Sequence, residues 1–278
     1  MASELLARIR AAGDFVRARA ALRPEVGVVL DGEFGDLAAA LETKAVVPAG
    51  EIPGFPPPRV AGRAGELRVG LLAGRPVAVL NARAHYYEGH TMQQVAFPTR
   101  VLRELGCHTL VLAAGAGGLN PDMPPGSIVA VADHINLMGD NPLIGPNDDE
   151  LGDRFPDMSE PYSRRLAGLA EQVALGQGWL LQRAVLAGVP GPGLETAAEY
   201  RFLRWVGADI VGAAIVPETI VAVHGRQRVL ALTVVTHACL ADNLHPVDAG
   251  EILRQVAAAA PRLTRTIAEV IRRLDEAA

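Results

Sequence analysis

Apolar positions along the chain switch repeatedly between helical and strand spacing. Leu5, Leu6, Ile9, Phe15 and Val16 recur at roughly helical intervals and predict an amphipathic helix ending before Arg23 and Pro24. The run Val26–Leu30 predicts a buried strand, followed by a glycine-bearing turn over 31–35 and a short helix at Leu37–Leu41. Leu67, Val69 and Leu71 alternate with polar or small residues, as do Val77, Val79 and Asn81 after Ala73-Gly74-Arg75, which predicts a hairpin. A helix follows at Met92–Leu105, then strands at Thr109–Ala113 and Ser127–Ala132. Gly139–Pro161 is broken by prolines and glycines and reads as a long irregular excursion, a kind of segment that often carries function. Beyond it come a helix at Ser163–Leu175, a strand at Ala184–Ala187, helices at Thr196–Val206 and after Pro217, a strand at Val229–Val235 and a last helix from Asp248 to Ala277. Short buried strands between helices predict an α/β fold whose sheet is covered on both faces. With no repeat or composition break, residues 1–278 read as a single domain.

Composition narrows the function. Of the 278 residues 50% are hydrophobic and 21% charged, a globular balance, and the net charge of −5 lacks the basic footprint of a nucleic-acid or anionic-membrane partner. The two cysteines, Cys107 and Cys239, form no framework, and the N-terminal stretch lacks the unbroken apolar region of a signal peptide, so a reducing cytoplasm is expected. Lys44 is the only lysine, which disfavours Schiff-base chemistry, and none of the four serines lies in a Gly-x-Ser-x-Gly elbow.

Three motifs fail on spacing. Gly115-Ala-Gly-Gly-Leu-Asn120 approaches the dinucleotide fingerprint, but Asn120 replaces the last glycine and Pro121 interrupts the helix that should follow. His85-Tyr-Tyr-Glu88-Gly-His90 misses a zinc-binding spacing by one residue and reads as a histidine and a carboxylate serving a loop. Asp148-Asp149-Glu150 is a solvated acidic run without calcium-loop spacing.

Four segments together are more specific: Arg83-Ala-His85-Tyr-Tyr87-Glu88-Gly89, Ala116-Gly-Gly-Leu-Asn120-Pro, Asp133-His-Ile-Asn136-Leu with Asn141-Pro-Leu-Ile-Gly-Pro-Asn147-Asp, and Gly191-Pro-Gly-Leu-Glu195-Thr196-Ala-Ala-Glu199. In this order they resemble the trimeric purine nucleoside phosphorylases, and Gly207-Ala-Asp209-Ile-Val-Gly212 and Val216-Pro217-Glu218 extend the likeness. The resemblance implies a nucleoside phosphorylase fold, a mixed barrel-like sheet flanked by helices, assembled as a homotrimer. It implies a pentosyltransferase of purine salvage that cleaves the N-glycosidic bond with inorganic phosphate as co-substrate and uses no metal or organic cofactor. Carried over by position, the phosphate site comprises Gly32, Arg63, Arg83, His85, the Gly115 amide and Ala214. The nucleoside site comprises Tyr87, Ala116, Gly117, Leu194, Glu195, Gly212, Ala213, Thr236 and His237, with Phe155 inserted from a neighbouring subunit. His85, Glu195 and His237 are the expected catalytic groups.

The departures cluster on phosphate and base. Asp31-Gly32-Glu33 stands where the family has Gly-Ser-Gly, Arg63 where it has histidine, and Ala214 where it has a phosphate-binding serine. Two hydroxyl donors are thus absent, and Glu33, if it points inward, repels a phosphate dianion by several kcal/mol unless it pairs with Arg63. His237 replaces the asparagine that bonds the purine N7 and 6-oxo group, and a histidine there could protonate N7 or simply be a satisfied strand-end residue. The family's ribose-contacting histidine aligns with Ala249, leaving nearby His245 as a substitute. The principal expectation is therefore phosphorolysis of a purine nucleoside, with a phosphate-independent hydrolase and a silent nucleoside-binding homologue as alternatives.

Overall fold

The computed structural model describes residues 3–31, 34–57, 65–81 and 83–277; Gly32, Glu33 and Arg63 therefore lie outside the described residues. In chain order the elements are α1 (Glu4–Arg17), β1 (Val26–Leu30), α2 (Gly35–Ala39), β2 (Glu42–Pro48), β3 (Glu66–Leu72), β4 (Arg75–Asn81), α3 (Met92–Leu105), β5 (Thr109–Gly118), β6 (Ile128–Asn136), α4 (Arg164–Gly176), β7 (Gln182–Gly188), α5 (Ala197–Trp205), β8 (Ile210–Gly212), α6 (Val216–His224), β9 (Arg228–Ala238) and α7 (Ala249–Arg272). One nine-stranded sheet runs β2-β3-β4-β1-β5-β8-β7-β6-β9 and closes on itself through a further β5–β9 pairing. The closure makes a mixed barrel of β5, β8, β7, β6 and β9, from which β1, β4, β3 and β2 extend. The fold is thus the barrel-like α/β architecture expected.

Strand β5 shows why the sheet is two-sided. Leu110, Leu112 and Ala114 enter one apolar core with residues of α1 and α3, whereas Val111 and Ala113 enter a second with α4 and α7. Alternate residues of a strand point to opposite faces, so a run apolar at every position must be covered twice. On α7 the buried apolar set Val256, Ala259, Ala260, Leu263, Ile267, Val270 and Ile271 follows the three-to-four-residue repeat of a helix lying on the sheet. Full burial of each large aliphatic side chain contributes roughly 1.5–3 kcal/mol.

Several boundaries differ from the sequence expectation. The short helix begins at Gly35 and ends at Ala39 rather than spanning Leu37–Leu41. β5 and β9 run on past Ala113 and Val235 into glycine-rich and polar residues, because their backbones are paired with each other there. β2 was hidden by its exposure: as an edge strand only Val47 is buried, so no apolar alternation marks it. β8 is only three residues long. The last helix stops at Arg272 and gives way to a 3-10 turn at Leu274–Ala277. No helix or strand interrupts the stretch between β6 and α4, as the proline and glycine content predicted.

Candidate active site

β1, β4, β5 and β9 are mutually parallel, so their carboxyl ends share one rim of the sheet. Open α/β sheets bind ligands outside such ends. Here a cavity of about 440 Å³ is lined from that rim by Asp31, His85, Tyr87, Gly115, Ala116, Gly117, Thr236 and His237. Gly191, Leu194 and Glu195 from the loop after β7, Gly212 at the end of β8 with Ala213 and Ala214 after it, and Ile252 and Val256 of α7 add to it. The volume falls in the range of about 300–1,000 Å³ typical of small-molecule sites.

Local chain geometry builds the walls. Between β5 and β9 the register slips, Ala116 facing Val235 but Gly117 facing His237, so Thr236 is an extra residue. Such a bulge re-aims side chains, and Thr236 and His237 both reach the cavity. Glycine is needed opposite them: a Cβ on Gly117 would stand 2.4 Å from Cys239 Sγ and 3.1 Å from His237 Nε2. After β8, Ile215 has φ +77°, and the Val216 N–H donates to the Ala214 carbonyl at 2.9 Å, a tight three-residue turn. A β-branched residue at positive φ stores strain, of order 1–3 kcal/mol, of the sort that clusters at functional sites.

At one end of the cavity, Asp31 meets three groups at once. Its Oδ1 lies 2.8 Å from Arg83 Nε and 3.4 Å from His85 Nε2. Its Oδ2 accepts the Gly115 N–H at 3.4 Å. The Arg83–Asp31 contact is a charge contact rather than an aligned bond, since neither Nε nor Oδ1 has a hydrogen-bond partner among the described residues. Arg83 Nη1 donates to Glu218 Oε1 at 2.8 Å, and Nη2 donates to the carbonyls of Val29 and Ala113 at 3.0 and 2.7 Å. Burial pushes the Asp31 carboxyl up, but the Arg83 charge, His85 and the Gly115 amide outweigh it and hold it at about 2.

Arg83, expected in the phosphate site, is 4% exposed, does not itself line the cavity and has both Nη groups hydrogen-bonded to the protein, which leaves Nε as the part nearest Asp31. His85 stands between two carboxylates, with Nδ1 3.1 Å from Glu88 Oε1. Desolvation pulls its pKa down, but Asp31 and Glu88 more than reverse this and leave it raised. The Glu88 carboxylate also accepts the His85 backbone N–H at 3.0 Å, and the imidazole stacks on Tyr87 at 4.8 Å. Glu88 thus serves the loop as the sequence suggested, and does so by orienting His85.

The cavity lining also includes Glu195 and His237. Desolvation raises the Glu195 pKa against an opposing hydrogen bond to its own backbone and another from Tyr200. Desolvation lowers that of His237, which favours neutral imidazole. Thr236 Oγ1 donates its one proton to the Ala116 carbonyl at 3.1 Å and lies 2.9 Å from His237 Nδ1. With that proton committed, Oγ1 accepts from Nδ1–H, and Nε2 keeps its lone pair. The proton-donor role expected of His237 is therefore not the one this geometry supplies; neutral His237 presents an acceptor.

Three other expected residues stand elsewhere. His245 is solvent-exposed and outside the cavity lining, which removes it as a substitute ribose ligand in this arrangement. Phe155 is 86% exposed and lines a separate hollow with Arg154, Pro156 and Met158. Ala249 opens α7 and does not line the cavity. Sequence reasoning missed Glu218, which is 2% exposed in the first turn of α6 and is the second counter-ion of Arg83. Its place in Val216-Pro217-Glu218 was the available signal.

The Phosphorylase superfamily profile matches residues 25–272. A purine nucleoside phosphorylase 1 from Geobacillus stearothermophilus is 39% identical over 266 residues, 96% of this chain and 97% of that protein. The chain belongs to the purine nucleoside phosphorylase family. A mouse purine nucleoside phosphorylase is 41% identical over 252 residues, 88% of this chain and 87% of its own. Among solved structures, Schistosoma mansoni purine nucleoside phosphorylase in complex with adenosine superimposes with a TM-score of 0.92 at 33% identity, covering 97% of this chain and 98% of that one. Isoform 2 from the same organism, in complex with cytosine and ribose-1-phosphate, also gives 0.92, at 34% identity with 96% of each chain covered.

Proposed function

We propose that this chain is a purine nucleoside phosphorylase that cleaves the N-glycosidic bond with inorganic phosphate, yielding free base and pentose 1-phosphate. A phosphate oxygen forms the new bond to C1′ as the bond to the purine nitrogen breaks, and the electron pair leaves with the base, which is then protonated. The observation that carries this reading is the convergence of Arg83 Nε, His85 Nε2 and the Gly115 N–H on one anionic oxygen pair at one end of the cavity. Two cationic side chains and a backbone N–H gathered around one anionic group are what an anionic nucleophile needs. The same cavity carries Glu195 and His237, groups suited to a purine edge, and Tyr87, Ala213 and the apolar residues of α7, which suit the sugar.

His237 favours a 6-aminopurine. Its Nε2 lone pair accepts from a 6-amino group, beside the Glu195 carboxyl whose pKa desolvation raises. A 6-oxo group would bring a second acceptor against Nε2. We place Phe155 of a neighbouring subunit over the mouth of the cavity, in a cytoplasmic homotrimer serving purine salvage; its 86% exposure within the single chain is consistent with such a loan. Phosphate and nucleoside are the only reactants in this scheme, and no metal or organic cofactor enters it.

The test is chromatographic base release from adenosine, methylthioadenosine, inosine and guanosine in phosphate-free buffer with and without added phosphate. Phosphate-dependent release with formation of a pentose 1-phosphate is expected, fastest with a 6-amino substrate. Release indifferent to phosphate would overturn phosphorolysis in favour of hydrolysis, and binding without release would reduce the chain to a nucleoside-binding homologue.

A further inference from the structure

The three groups assigned to phosphate already hold an anion, and it belongs to the protein. Asp31 Oδ1 and Oδ2 contact Arg83 Nε, His85 Nε2 and the Gly115 N–H, all within 3.4 Å. We infer that Asp31 is an internal competitor in the phosphate subsite, so that phosphate binds by displacing its carboxylate from Arg83 and His85; the inference builds on the phosphorolytic reading above. Two further observations carry it. The Asp31 carboxylate is buried yet lines the cavity, and its contact with Arg83 Nε is not a formed hydrogen bond on either side. An acceptor better placed than this one would gain a charge-assisted bond that the resting site lacks.

Among the described residues around the subsite, Asp31 is one of three carboxylates, with Glu88 and Glu218, that contact Arg83 or His85. A phosphate dianion entering beside Asp31 would meet a like charge within a few ångströms at reduced dielectric. Held at about 2, Asp31 stays ionised through the whole working pH range, so acidification does not relieve it. Removing its charge does not strand Arg83, because Glu218 remains on Nη1 at 2.8 Å. Ala214 bears no hydroxyl to add a donor on its side of the site.

The experiment is calorimetric titration of the full-length protein with inorganic phosphate, comparing wild type with Asp31→Asn, Asp31→Ser and Asp31→Glu, together with the KM for phosphate at saturating adenosine. Asp31→Asn and Asp31→Ser should bind phosphate about tenfold or more tightly than wild type, with KM falling in parallel, whereas Asp31→Glu, which keeps the charge, should remain weak. Equal or weaker phosphate binding by variants that melt close to wild type would overturn the inference. So would phosphate-independent base release by wild type that is lost in Asp31→Asn, since the carboxylate would then be serving water. Should no variant form a pentose 1-phosphate, the phosphorolytic reading fails, while the titration still decides whether Asp31 excludes phosphate.

Discussion

Replacing His237 by asparagine tests the base site at one atom pair. In the wild-type site Thr236 Oγ1 gives its proton to Ala116 O at 3.1 Å and takes the Nδ1 proton of His237 at 2.9 Å, so the imidazole shows the base only the Nε2 lone pair. A 6-amino group satisfies that lone pair, and a 6-oxo group opposes it. The asparagine amide presents both a donor and an acceptor and can turn to suit either base. Losing or mismatching one buried hydrogen bond costs about 1–3 kcal/mol, which at about 1.4 kcal/mol per tenfold is about 5- to 150-fold. His237→Asn should therefore raise the inosine-to-adenosine ratio of kcat/KM by that factor, read by chromatographic base release at saturating phosphate. Acid gives a second, internal control. Desolvation holds the His237 pKa below its usual value, so the ring gains a donor at Nε2 only as pH falls well under neutrality, and wild-type preference should drift toward inosine on the acid side. A ratio within twofold of wild type in His237→Asn, with no drift in acid, would refute the tautomer argument.

Other consequences follow from the anion site and its surroundings. Arg83→Met leaves Asp31 and Glu218 buried without their shared cation and should cost about 3–5 kcal/mol of stability in urea denaturation; a variant as stable as wild type would mean that water already screens the cluster. Glu88→Gln removes one of the two carboxylates that raise the His85 pKa, so the alkaline limb of the pH profile for kcat/KM of phosphate should move to lower pH, with little change at its acid end. Phe155→Ala, at an 86% exposed position, should leave the melting temperature nearly unchanged but raise the nucleoside KM about tenfold; an unchanged KM would remove the neighbouring subunit from the site.

The fold was legible wherever burial imposed a period. Val26–Leu30 and Met92–Leu105 were read to the residue because one is buried at all five positions and the other is capped at Thr91 and closed by Gly106 in a left-handed conformation. β2 escaped notice because an edge strand with a single buried residue owes its conformation to the backbone of β3. The ends of β5 and β9 escaped for a related reason. Gly115, Gly117 and Gly118 read as a turn in isolation, and only pairing with Val234–Ala238 makes them strand. Those same residues carry the cavity wall, so local propensity failed at the place where the site required an unusual backbone.

For the site, residue types in order were enough to nominate twelve of the groups that line the cavity, from His85 through Tyr87, Gly115 and Glu195 to His237. What order could not convey was occupancy. Arg83 and Asp31 lie 52 positions apart in a sequence that offers many acidic partners, and nothing in their spacing says that one side chain fills the space prepared by the other. The physical reason is that an ion pair is fixed by the last ångström of packing: β1 and β4 run parallel, Arg83 N donates to Leu30 O at 3.3 Å, and this brings Asp31 against the guanidinium. The same reasoning separates Arg83 from its expected role without removing it from the reaction. A buried guanidinium paired to Glu218 is pre-oriented and already desolvated, so exchange of one carboxylate for a phosphate oxygen at Nε needs no new cation to be buried. Phosphate entry then includes the cost of releasing Asp31, which is why a single neutral substitution there should reach the nucleophile's affinity directly.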